Sequence, residues 1–183
     1  SHCPARPVCH PHLRQDDSKL IYKIAYTYYN EGQWQSCFKQ LEIAMKMHRL
    51  QPEFNLLAGE CKMKLGLFKD AAQYFSNMVR VRPKSMAGWE ALIRSLFNAE
   101  SFEDALEQTN TALKMTKGKP IFLFYKSAVL FALNKGKEAI LQLEEAMRQA
   151  PKLLKRFVEL NPSILQSQQV VDVIARYKRN KSI

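Results

Sequence analysis

Past a proline-broken start, apolar residues recur at steps of three and four. Ile21, Ile24, Ala25 and Tyr28 form one such set, and Cys37, Leu41, Ala44 and Met45 form a second, after a polar turn from Asn30 to Gly32. That spacing puts each set on one face of an α-helix, so the region predicts two amphipathic helices joined by a short turn. The pattern then returns at a fixed interval. Cys37, Ala71, Ala105 and Ala139 stand 34 residues apart, and Leu41, Phe75, Thr109 and Leu143 keep the same step. So do Ala44, Met78, Ala112 and Ala146, and so do Trp34, Phe68 and Phe102.

A period between about 20 and 50 residues marks a repeat architecture, in which one hairpin cannot bury its apolar face alone and stacks on its neighbours. Small residues at 25 and 59 in first helices, and at 37, 71, 105 and 139 in second helices, let two helices cross closely where a large side chain would overpack. Gly32 and Gly66 suit left-handed helix ends, and Ser101 with Asp104 three positions on predicts a capping box. Pro52 and Pro120 suit helix starts, while Pro83 and Pro151 fall just past helix ends.

These residues resemble the tetratricopeptide repeat family over roughly residues 18 to 151. The second repeat is the best copy, with Ala58 and Gly59 at the Leu-Gly position, Gly66 at the turn, then Phe68, Ala71, Phe75, Met78 and Pro83. Repeat one offers Ile24, Ala25, Tyr28, Gly32, Trp34, Cys37 and Ala44, and repeat three offers Trp89, Leu92, Leu96, Phe102, Ala105 and Ala112. The fourth keeps Ala139, Leu143, Ala146 and Pro151 but carries Gly136 for an aromatic and Lys126 for Leu, so its first helix is expected in a shifted or looser register. The resemblance implies an all-α, right-handed superhelical solenoid of about four helix-turn-helix repeats, at 18–51, 52–85, 86–119 and 120–151.

After Pro151 the period breaks, because Pro162 falls inside what would be a fifth first helix. Residues 152–183 are therefore expected to form capping helices and a basic tail. A short helix takes Leu153, Leu154, Phe157, Val158 and Leu160, and a last helix runs from Pro162 to about Tyr177, with Ile164, Leu165, Val170, Val171, Val173 and Ile174 over the fourth repeat.

The resemblance also implies that first helices line a concave groove holding a partner peptide or helix. The matching positions are Tyr22, Tyr26 and Tyr29, then Leu56, Glu60 and Met63, then Glu90, Arg94 and Phe97, with Phe124, Tyr125 and Phe131 from repeat four. Tyrosine gives a large contact area at little rotamer cost, which suits apolar anchors, although several of these rings could equally be core. The family's carboxylate clamp of lysine, asparagine and arginine is replaced here by Tyr22, Tyr26, Leu57, Ala87 and Ala91. None can make charge-assisted bonds to a terminal carboxylate, so chaperone-tail binding of that type is disfavoured.

Charge supplies a second function class. The 183-residue chain carries a net +11, and from Arg148 to the end eight basic and two acidic residues leave a net +6. Arg176, Lys178, Arg179 and Lys181 make a basic patch for phosphates, an anionic surface or an acidic partner, with nucleic-acid binding the alternative to a protein ligand. A solvated helix face with a frayed tail is the simpler account of that patch.

Catalytic and metal signals are weak. Outside the first 16 residues, which are expected to form a flexible leader, His48 is the only histidine, and no phosphate-cradling glycine loop is present. Cys37 and Cys61 sit at inward helical positions as small hydrophobes. Cys3 and Cys9 with His2, His10 and His12 could gather a metal, yet their spacing is irregular for a metal site, so no cofactor and no enzyme activity are expected. No run of 18 apolar residues occurs and the start lacks the apolar stretch of a signal peptide, which predicts a soluble, cytoplasmic chain.

Overall fold

The computed structural model describes residues 15–179, with side chains from Asp17 onward. Eight helices pair into four hairpins. These are α1 (Gln15–Asn30) with α2 (Trp34–Met47), α3 (Pro52–Lys64) with α4 (Phe68–Val81), α5 (Met86–Asn98) with α6 (Phe102–Met115), and α7 (Pro120–Ala132) with α8 (Gly136–Gln149). The second helices begin at 34, 68, 102 and 136, and α3, α5 and α7 begin at 52, 86 and 120, so the sequence period is the structural period. The fourth repeat corrects one expectation, because α7 stays in register and is as long as α3 and α5. Lys126 is accommodated half-buried while the residues around it, from Ile121 to Leu130, fill the core.

The small residues act as the spacing implies. Cys37, Ala71, Ala105 and Ala139 are wholly buried, and Thr109 enters the core because its hydroxyl donates to the Ala105 carbonyl at 2.6 Å. Gly59 has no room for a side chain, since a Cβ there would lie 2.4 Å from the Phe75 ring. All four hairpin turns close in one way. Gly32, Gly66, Glu100 and Asn134, again one period apart, take φ of 75°, 73°, 57° and 59°. The next residue's N–H reaches five residues back in each, as from Gln33 to Tyr28 and from Ser101 to Leu96, which is a Schellman closure. Ser101 makes no side-chain cap to α6, contrary to the capping-box expectation. The serine that does cap is Ser85, whose Oγ accepts from the Gly88 N–H at 3.2 Å at the start of α5.

Beyond α8 the chain makes a 3₁₀ turn (Pro151–Leu153), α9 (Leu154–Leu160), a second 3₁₀ turn (Pro162–Gln166) and α10 (Gln168–Arg179). The expected single helix from Pro162 is thus two elements. Ser167 is extended, with ψ of 116°, and the helix restarts when the Val171 N–H bonds the Ser167 carbonyl. Ile164, Val170, Val173 and Ile174 are buried, whereas Leu165 and Val171 remain exposed. α10 packs on α8 as a cap. α9 departs from the repeat rule: α3, α5 and α7 each pack against the second helix before them, but α9 packs against α7.

The apolar interior falls into two clusters. A small one at repeats one and two joins Ala25, Cys37, Leu41, Ala44, Phe54, Leu57, Ala58 and Cys61. A larger one runs from Ala71 through Trp89 and Phe122 to Phe157 and Ile174. No helix among the described residues is long and apolar enough to cross a membrane.

Candidate functional site

The first helices present one face of the solenoid, and its N-terminal half is open. On α1, three- and four-residue steps bring Tyr22, Tyr26 and Tyr29 to the same side. Tyr22 stacks on Tyr26, with ring centroids 6.4 Å apart, and on Phe54 of α3 at 5.6 Å, so the three rings form a ladder from core to solvent. Tyr26 ends it, 49% exposed. Tyr29 is half-buried edge-on to Trp34 at 5.2 Å. Burial, then the Glu53 carboxylate and the neighbouring Tyr26 and Cys37, push the Tyr22 phenol above its ordinary pKa. Burial and Glu60 do the same for Tyr29. Both phenols therefore stay protonated donors across the neutral range.

On α3, Leu56 and Met63 are half-buried against the larger core. Between them Glu60 accepts from Arg94 of α5 at 2.8 Å, one full period away. Phe97 lies edge-on to Phe102 at 5.2 Å, and Phe131 is half-buried in the same core. This face thus offers aromatic edges around a partly exposed ion pair.

The C-terminal half is covered. Phe124 and Tyr125 are buried, which corrects their expected place on an open surface. The cause is α9, whose Phe157 sits 6.0 Å from the Phe124 ring and whose Arg156 pairs with Glu90 of α5. Tyr125 donates to the same Glu90 carboxylate at 3.3 Å, and its phenol is raised by burial and by that carboxylate. Glu90 is therefore a strap point and is already occupied. Phe157 was expected in the apolar set of a capping helix, but its place over Phe124 was not, and Arg156 does not stand out in the sequence, because both lie beyond the repeats.

The basic patch is partly engaged. Arg176 donates to Glu144 of α8 at 2.8 Å, Arg179 reaches the Ala175 carbonyl at 3.4 Å, and Lys178 has a partner as well. Lys181 lies outside the described residues, as do Cys3, Cys9, His2, His10 and His12. Among the described residues no group of three or more His, Cys, Asp or Glu side chains could hold a metal. His48, at the end of α2, has a buried Nε2 with no hydrogen-bond partner.

Residues 90–153 match the tetratricopeptide repeat family model. No curated protein matches the sequence. Among solved structures, residues 41 to the end of MamA from Desulfovibrio magneticus RS-1 superpose with a TM-score of 0.69 at 13% identity, covering 93% of this chain and 97% of that one. A thermophilic TPR protein from Thermus thermophilus gives 0.58 at 17% identity, covering 91% and 100%. A tetratricopeptide repeat protein from Parabacteroides merdae gives 0.68 at 13%, covering 90% and 67%. At these identities the likeness is one of fold.

Proposed function

We propose that this chain, a tetratricopeptide-repeat solenoid, is a non-enzymatic protein-interaction scaffold that holds a partner peptide or helix on the first-helix face of repeats one to three. The observation that carries the reading is the half-exposed Tyr26 at the end of the Tyr26–Tyr22–Phe54 ladder, one helix away from the Glu60–Arg94 pair. Stacked rings with a free outer edge give a pre-ordered apolar platform, and the ion pair supplies a donor and an acceptor for a peptide backbone or a polar side chain. Leu56 and Met63 extend the platform along α3, and Phe97 bounds it on α5.

Nucleic-acid binding through the C-terminal patch is less favoured, since Arg176 is paired and the ring ladder lies on a different element from the patch.

Selection from a displayed random-peptide library tests the reading. Peptides with an aromatic or long aliphatic anchor are expected to be enriched. Their affinity should fall at least about tenfold, roughly 1.4 kcal/mol, in the Tyr26→Ala/Arg94→Ala double variant at unchanged helicity. Unchanged affinity in that variant would move the site off this face, and retention of a single-stranded oligonucleotide with steep salt dependence would favour the basic patch.

A further inference from the structure

The repeat register produces three equivalent crossings between a second helix and the first helix that follows. At the α4–α5 crossing the inward residues are Ala71 and Ser95, and at α6–α7 they are Ala105 and Val129. At α2–α3 the same two places hold Cys37 and Cys61, both wholly buried free thiols. Their sulfurs lie 2.9 Å apart, with the Cys61 thiol donating to Cys37. That is within about 1 Å of the bonded S–S length near 2.05 Å.

We propose that Cys37 and Cys61 are an oxidisable dithiol, and that a disulfide between them is a covalent modification locking repeat one to repeat two. The close helix crossing already supplies the approach that a disulfide needs, so linkage asks for a small movement and no rearrangement of the hairpins. The thiols also differ in acidity. The hydrogen bond from Cys61 holds the Cys37 thiol below its ordinary pKa against the opposing effect of burial, while the same bond and burial push Cys61 up. With Cys61 as the hydrogen-bond donor and Cys37 as the acceptor, the attack is assigned to Cys37 and the resolving step to Cys61.

A small peroxide is a sufficient oxidant. The Cys37 thiolate attacks one peroxide oxygen, the O–O bond breaks, and hydroxide leaves with a sulfenic acid on Cys37. Cys61 sulfur then attacks Cys37 sulfur, the S–O bond breaks, and hydroxide takes the Cys61 proton to leave as water. Two thiols have lost two electrons and the peroxide has gained them. Entry follows local opening of repeats one and two, which carry a small core cluster separate from the larger one.

The test treats native full-length protein, with Cys3→Ser and Cys9→Ser to remove the other two thiols, with hydrogen peroxide, followed by proteolysis and mass spectrometry. A peptide pair joined through Cys37 and Cys61, two hydrogens lighter than the reduced pair and separated by a reductant, is the expected product. The oxidised protein should melt at a higher temperature, and the gain should vanish on reduction. In a Cys61→Ser variant the reaction should stop at Cys37, where a sulfenic-acid trap such as dimedone adds. Linkage that forms only in denatured protein, or both thiols alkylatable after native peroxide treatment, would overturn the proposal. The readout is on sulfur, so it stands or falls apart from peptide binding.

Discussion

The first helices of repeats one to three and that of repeat four are built on the same register, yet they differ in what lies over them. In the N-terminal half the outer ring of the ladder, Tyr26, is in solvent, and the ion pair at Glu60 and Arg94 is partly exposed. In the C-terminal half the residue one period beyond Arg94 is Ala128, wholly buried, and Phe124 and Tyr125 lie beneath α9. One repeat position is thus partly exposed at Arg94 and wholly buried at Ala128. The repeat fixes where a side chain points, and α9 brings protein rather than water over Phe124 and Tyr125.

The sharpest way to break that contrast is Phe157→Ala. Removing a wholly buried ring from over Phe124 should cost on the order of 3 to 5 kcal/mol in chemical denaturation. A loss below about 1 kcal/mol would mean that α9 contributes little to holding that half together. A smaller effect of opposite sign is expected at the third hairpin turn. Glu100→Gly gives this turn the residue that the first two already have at φ near 75°, and should stabilise by about 1 kcal/mol in a thermal melt. The smallest change is Arg94→Ala, which should cost less than about 1 kcal/mol because the Arg94 side chain is 40% exposed. A larger loss would mean that the ion pair helps to hold the first helices together as well as shaping the open face.

The solenoid was legible because its evidence is arithmetic. Residues 34 apart were small, or aromatic, or turn-forming, and the helices start at that step. Glu60 and Arg94 were placed at equivalent positions one period apart, though their pairing was not read from the sequence. Legibility ended where interactions leave the period. Arg156 reaches Glu90 across 66 residues, and Phe157 covers Phe124 from a segment that no repeat predicts. Cys37 and Cys61 read correctly as inward, but they are 24 residues apart, in different classes of helix, and their contact appears only once the α2–α3 crossing is built. The turn at Glu100 was hidden for another reason, since a non-glycine left-handed residue costs energy locally and is held there by the packing of the helices on either side.

A stack of hairpins is also a spring, and polar ties between successive first helices set how far it stretches. Arg94 ties α5 to α3, Tyr125 ties α7 to α5, and Arg156 adds a third tie that fastens α9 back onto α5. The last two share a single carboxylate, Glu90, so α5, α7 and α9 are bound at one knot, while α3 is joined to α5 by one partly exposed pair. Parting α3 from α5 breaks one partly exposed ion pair, whereas parting α9 and α7 from α5 breaks two bonds at a single carboxylate.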